Sequence, residues 1–247
     1  MAVIQFKPKK LIGPVCWGLS ALFQSAFRQD ELCRTVDVER QCGPRRRTDV
    51  SSETQVDAIF VELKARSGAL DVLVNNAGIA GSIAAVEDPA LADWDQTNSV
   101  NLTRPSLCTC RAVPLLKAAG NDRIVNLSSI AGRLGFPLRT PYSASKYGVI
   151  GLTETWATEL GPDHIRVNII LSGIVAGDRQ EGVIAAKAAS WGFEHEAMRQ
   201  HLLSKMSLRA IVTAQGVANQ IIFICSPAGA AISGQSLSVC GNVEHIG

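Results

Sequence analysis

From residue 48 onward, apolar positions alternate between helix-spaced and strand-like segments. Ser52 to Gln55 has the spacing of a capping box, and Val56, Ile59, Phe60 and Leu63 follow at helical intervals. A helix is therefore predicted to about Ser67, ended by Gly68. Residues 70–74, Leu-Asp-Val-Leu-Val, are too few for a helix and read as a buried parallel strand that finishes in Asn75-Asn76-Ala77-Gly78. Helical segments are expected at about 89–95 and 98–119, and a second buried strand at 123–128. A long helix is expected from Tyr142 to Leu160, stopped by Gly161-Pro162, and a third strand at 165–170. Residues 178–206 mix helix and loop, with exposed aromatics; a helix near 213–225 and a strand at 236–239 complete the pattern. This rhythm predicts an α/β protein with a doubly wound parallel sheet covered on both faces, in one domain over residues 1–247. Ligands of such sheets bind at the carboxyl ends of the strands.

Composition refines this only a little. The chain has 247 residues, 47% hydrophobic and 19% charged, enough for one α/β domain with a full core. A net charge of +2 argues against nucleic acid as a partner. His164, His195, His201 and His245 show no metal-ligand spacing, so no zinc site is expected. Seven cysteines without framework spacing read as free thiols of a reducing cytoplasm. Lys7, Lys9 and Lys10 precede an apolar run over residues 11–27 that imitates an export signal. Gly13, Pro14, Gly18 and Gln24 interrupt it, and it is short for a membrane span, so a cytoplasmic protein is expected.

The chemistry concentrates between Ser129 and Lys146. On a helix, Lys146 lies one turn after Tyr142 on the same face. A nearby ammonium favours a phenolate, which makes the tyrosine a candidate acid/base near neutral pH. Asn75–Gly78, Ser128-Ser129 and Ser172-Gly173 each follow a predicted strand, at the ligand-binding end of the sheet. Asn101, in the helix from about 98, offers an uncharged donor and acceptor.

Asn-Asn-Ala-Gly at 75–78, Val-Asn-Leu at 100–102, Ser-Ser at 128–129, Tyr-Ser-Ala-Ser-Lys at 142–146 and Ser-Gly-Gln-Ser-Leu-Ser-Val at 233–239 together resemble a classical short-chain dehydrogenase/reductase. The serine thirteen residues before Tyr142 and the asparagine forty-one before it make the combination specific. The resemblance implies an NAD(P)-dependent oxidoreductase acting on a small-molecule secondary alcohol or ketone. It implies Tyr142 as acid/base, Ser129 polarising the substrate oxygen, Lys146 holding the nicotinamide ribose, and Asn101 anchoring a proton-relay water. Asn75, Ala77 and Gly78 are to line the adenosine side, Asp49 to meet the adenine ring, and the loop after Ser172-Gly173 to close over nicotinamide. Residues 178–206 are to cover substrate, and the chain is to form a homodimer or homotetramer.

The first 47 residues depart from that pattern. A glycine-rich turn that cradles pyrophosphate is missing; Ile12–Ser20 is the nearest stretch, with a proline and a tryptophan in the loop. Lys9–Ile12 makes a poor first strand. Asp37 sits where an acidic residue selecting NAD over NADP is expected, yet only twelve residues separate it from Asp49. This segment holds nine of the 24 Lys and Arg but four of the 22 Asp and Glu. The seam suggests that residues 10–47 derive from a shifted reading frame or an altered gene; a divergent but genuine nucleotide site is the other reading. Ser172 in place of a proline, Gly216 in place of a helix-opening acid, and Cys240 in Val-Cys-Gly are smaller departures. Two functions follow as expectations: an active dehydrogenase or reductase, or a non-catalytic relative without its pyrophosphate turn.

Overall fold

The computed structural model describes residues 2–5, 36–39, 49–88, 90–120 and 122–244. Two short strands come first, β1 (Ala2–Gln5) and β2 (Val36–Glu39). Helix α1 (Glu53–Ser67) buries Val56, Ile59, Phe60 and Leu63, the predicted face. The Ser52 hydroxyl accepts from the Gln55 N–H at 3.4 Å, as a capping box requires. The Gln55 side chain does not return to Ser52; it accepts from the Asp49 N–H at 3.0 Å, which extends the cap one turn outward.

Strand β3 (Val72–Asn75) starts two residues later than predicted, where its ladder with β4 begins at Val72 opposite Arg123. Helix α2 (Leu91–Asn98) runs through a π-helical turn (Ser99–Thr103) into α3 (Arg104–Ala119). The π turn is a local widening that sequence periodicity cannot reveal, and Asn101 sits within it. Strand β4 (Arg123–Ser129) leads through a short 3-10 turn to α4 (Thr140–Leu160). Helix α4 opens two residues before Tyr142 because Pro141 is tolerated in a first turn, where its missing N–H has no intrahelical partner to lose. Then follow β5 (Arg166–Ser172), α5 (Asp178–Trp191), α6 (His195–Ser204), α7 (Ala214–Cys225) and β6 (Ser236–Val239).

The strand order is β2-β1-β3-β4-β5-β6. Strands β3 to β6 are mutually parallel, as expected. Successive residues of these strands feed opposite faces. Leu73 and Ile124 join Val56, Ile59, Leu63 and Leu116 on one side, whereas Val74 and Val125 join Val217, Ile221 and Ile224 on the other. That two-faced burial follows from the two-residue period of a strand and explains the apolar runs.

Among the described residues, the one departure from parallel strand pairing falls in the first unit, where the sequence departs from the family pattern. Strand β1 pairs antiparallel with β3, Ala2 lying opposite Asn75 and Gln5 opposite Val72, while β2 runs parallel to β1. A four-residue strand can complete an open edge in either direction; the parallel choice is imposed by a crossover helix, and the glycine turn that launches such a crossover is missing from the sequence. The segment Lys9–Ile12, the loop Ile12–Ser20 and most of the seam at 10–47 lie outside the described residues.

Candidate active site

The ends of β4 and β5 form the floor of the crevice. Ser129 and Ser172 are register partners, and the Ser172 hydroxyl donates to the Ser128 carbonyl at 3.2 Å. Past Ser129 the chain turns under its own cap: the Ser129 Oγ accepts from the Ala131 N–H at 3.2 Å. The first turns of α4 are stitched to this floor. Ser143 Oγ donates to the Ala131 carbonyl at 2.7 Å, and Ser128 Oγ donates to the Lys146 carbonyl at 2.9 Å.

Tyr142 and Lys146 lie one turn apart, as their spacing predicts. Lys146 Nζ is 5.7 Å from the centre of the Tyr142 ring and donates to the Leu127 carbonyl at 3.2 Å. Only 6% of Lys146 is exposed, so its charge acts in a partly dry environment, where it is screened less than at the surface. Phe136 meets the half-buried Tyr142 ring edge-on, with centroids 6.3 Å apart, and restricts its rotation.

Asn101 joins three elements. Its Oδ1 accepts from the Ile79 N–H at 2.8 Å, and its Nδ2 donates to the Ile79 carbonyl at 2.9 Å and to Ser145 Oγ at 3.0 Å. Ser145 passes the link on by donating to the Tyr142 carbonyl at 2.7 Å. The loop after β3, the π turn and α4 are thereby held in fixed relation. Both Ser143 and Ser145 stand inside the Tyr-Ser-Ala-Ser-Lys motif, but spacing alone gives neither of them a role.

The remaining sequence candidates divide. Asn75 points inward, donating through Nδ2 to Thr109 Oγ1 at 3.1 Å and to Asn126 Oδ1 at 2.8 Å, so its amide braces the sheet against α3. Ala77 is buried beside it in the loop that ends at Gly78. A side-chain carbon at Gly78 would lie 3.3 Å from Asn101 Oδ1 and 3.4 Å from Lys146 Nζ, so bare backbone, amide and ammonium sit close together. Gly173 donates its N–H to the Val239 carbonyl at 3.0 Å, and a side-chain carbon there would meet the Cys240 backbone at 2.7 Å. Only glycine permits that approach of β5 to β6. Asp49 lies apart from this group: its carboxylate accepts from the Ser51 N–H at 2.8 Å in the turn that opens α1. Arg139, one turn before Tyr142, donates to the Ala80 and Gly81 carbonyls at 3.1 and 2.9 Å.

Bare backbone at Gly78, with the Lys146 ammonium beside it, has the chemistry to take a ribose and its hydroxyls. The nicotinamide half of a dinucleotide therefore fits the residues present. At the other edge, β1 ends beside Val72, at the opposite end of the sheet from Asn75.

Known proteins resemble this chain over most of its length. A family model described as enoyl-(acyl carrier protein) reductase matches residues 24–242. The trans-4-hydroxycyclohexanecarboxylate dehydrogenase of Sinomonas cyclohexanicum is 38% identical over 194 residues, covering 78% of this chain and 67% of that protein. A single-site variant of the actinorhodin polyketide ketoreductase, solved with NADPH, superposes with a TM-score of 0.78 at 26% identity, over 98% of this chain and 96% of the other. An NAD+-bound xylitol dehydrogenase gives a TM-score of 0.73 at 28% identity, over 79% and 77%. With the matched segment spanning most of the chain and Ser129, Tyr142 and Lys146 gathered at the strand ends, this protein belongs to the short-chain dehydrogenase/reductase family.

Proposed function

We propose that this chain transfers hydride between NAD or NADP and a small secondary alcohol or ketone, with Tyr142 as acid/base. The observation that carries this reading is the placement of the Lys146 ammonium 5.7 Å from the Tyr142 ring, beside the carboxyl ends of β4 and β5. The bound nicotinamide supplies the hydride acceptor or donor. Tyr142 removes the hydroxyl proton during oxidation and returns it during reduction, and the ammonium stabilises the phenolate between the two. Ser129 accepts from Ala131, which leaves its own hydrogen to donate to the substrate oxygen as charge develops there. Both amide hydrogens of Asn101 are engaged, so its side chain offers a relay water an acceptor.

In this reading Lys146 also binds the ribose, Ala77 and Gly78 line the cofactor by their backbone, and Asn75 holds that backbone in place. Ser172 and Gly173 open the loop beside nicotinamide. Asp49 meets the adenine ring, and NAD is favoured over NADP. The whole chain acts as one cofactor-binding domain, with 178–206 over the substrate. The Sinomonas relative, named for a cyclic hydroxy acid, supports a substrate of this size. A groove between α3 and α4 lined by Leu102, Leu107, Gly148 and Leu152 supports assembly into a homodimer or homotetramer through these helices. The free thiols of Cys108, Cys110, Cys225 and Cys240 support a cytoplasmic setting. Among the described residues no helix is long and apolar enough to cross a membrane.

The reversed β1 favours a second reading: an impaired relative that keeps the acid/base site and lacks the pyrophosphate turn. Tyr142→Phe separates the two. In an active enzyme it removes turnover and leaves cofactor binding within about twofold, because the proton path is lost and the cofactor contacts are not. A Y142F protein that turns over at a near-normal rate refutes the role given to the tyrosine.

A further inference from the structure

The chain just before α4 holds a turn in a conformation that its own residues disfavour. Phe136, Pro137, Leu138 and Arg139 form it, closed by the Arg139 N–H donating to the Phe136 carbonyl at 3.2 Å. Pro137 presets the second position, and Leu138 takes the third with a φ of 62°. Glycine or asparagine suits that third position, because a larger side chain in the left-handed region crowds the backbone. Leu138 is 52% exposed, so burial of its side chain does not offset the strain. The turn is held from outside instead. The Leu138 carbonyl accepts from the Ala84 N–H at 3.1 Å, and the Arg139 guanidinium donates to the Ala80 and Gly81 carbonyls, so the turn is tied to the loop after β3. Strained backbone persists where its surroundings impose it, and such strain gathers at functional sites. What this turn presents is Phe136, whose ring stands at 72° to the half-buried Tyr142 ring with centroids 6.3 Å apart.

We infer that Phe136 is a positioning residue for Tyr142, and that the strained turn at Leu138 holds Phe136 in place for that role. The role rests on the hydride-transfer reading of Tyr142. A phenol on a half-buried ring swings with the rotation of its side chain, and only the correctly aimed part of that swing leads to proton transfer. An edge-on aromatic neighbour narrows the swing without adding charge. Because Phe136 acts through Tyr142 and not on the cofactor, its loss falls on kcat and spares cofactor affinity.

The chain has two tyrosines, Tyr142 and the exposed Tyr147, so ring motion can be read residue by residue without turnover. Carbon-13 relaxation of the tyrosine rings, measured on the full chain, is the first readout. The Tyr142 ring is expected to be more restricted than the Tyr147 ring in the wild type, and to approach it in Phe136→Ala. The second readout is reduction of cyclohexanone and acetoacetate with NADH or NADPH. There Phe136→Ala is expected to lose about tenfold or more in kcat, as a small misplacement of a reacting group does, with KM and cofactor affinity within about twofold. Phe136→Tyr keeps the ring and is expected to restore the rate. Leu138 gives an independent check. Leu138→Gly suits the turn and should keep wild-type ring order and rate, whereas Leu138→Ile, branched at its β-carbon, should open the turn and copy Phe136→Ala. Unchanged Tyr142 ring order in a folded Phe136→Ala protein overturns the role, as does a kcat loss that Phe136→Tyr does not restore. A chain that binds neither NADH nor NADPH but shows ring order dependent on Phe136 sinks hydride transfer and keeps the contact; turnover with ring order indifferent to Phe136 does the reverse.

Discussion

The Asn101 amide and the Ser145 hydroxyl are hydrogen-bonded at 3.0 Å, and through that bond the π turn holds the first turn of the helix that presents Tyr142. Asn101 and Ser145 are 1% and 0% exposed, so this contact is shielded from bulk solvent. Asn101→Leu removes three hydrogen bonds and strands the Ile79 N–H. The expected cost is about 2–4 kcal/mol of stability, since each unmatched buried polar group costs about 1–3 kcal/mol. Urea unfolding followed by circular dichroism measures it. A loss below about 0.5 kcal/mol would show that the network is not the brace described here.

Gly78 gives a more local test. A side-chain carbon there would lie 3.3 Å from Asn101 Oδ1 and 3.4 Å from Lys146 Nζ. Gly78→Ala should weaken cofactor binding about tenfold while changing stability by no more than about 1 kcal/mol, because the backbone there is not in a left-handed conformation. Calorimetric titration with NADH beside a thermal melt reads both. Unchanged affinity in a folded G78A protein would move the ribose away from Gly78.

Cysteine chemistry follows from burial. Desolvation raises both Cys108 and Cys225 to pKa values of about 11, and Arg104 and Arg111 offset this only in part at Cys108. The thiolate is the reactive form, so at pH 8 only about one Cys108 or Cys225 side chain in a thousand is ready to react. Cys110 is exposed on α3, in the groove that α3 forms with α4. Brief iodoacetamide treatment of the folded protein diluted to its monomer, which frees the groove assigned above to subunit contact, should therefore label Cys110 well before Cys108, Cys225 or the buried Cys240 when mapped by peptide mass spectrometry. Equal labelling of Cys108 and Cys110 would show that α3 does not pack as described.

Part of this is legible in the sequence, and the rest is hidden for physical reasons. Strands buried on both faces appear as largely apolar runs, so 123–128 and 165–170 are readable to within two residues of the observed bounds. The Tyr142 and Lys146 pair is legible because helical spacing alone puts the two on one face. The π turn is not, since the backbone widening at Asn101 leaves no periodic trace. Ser145 carries no local signal because its role depends on contact with Asn101, forty-four positions away. The direction of β1 is equally hidden: a short apolar strand reads alike in both directions, and only its connection decides.

The central claim is that a nicotinamide cofactor lies against Tyr142 in this crevice. Fluorescence transfer from the four tryptophans to NADH and to NADPH, titrated into protein shown to be folded by circular dichroism, tests it most directly. The account predicts saturable transfer with at least one of the two, abolished by excess oxidised cofactor and weakened in Lys146→Ala. Transfer that rises without saturation up to millimolar cofactor, in folded protein, would contradict it.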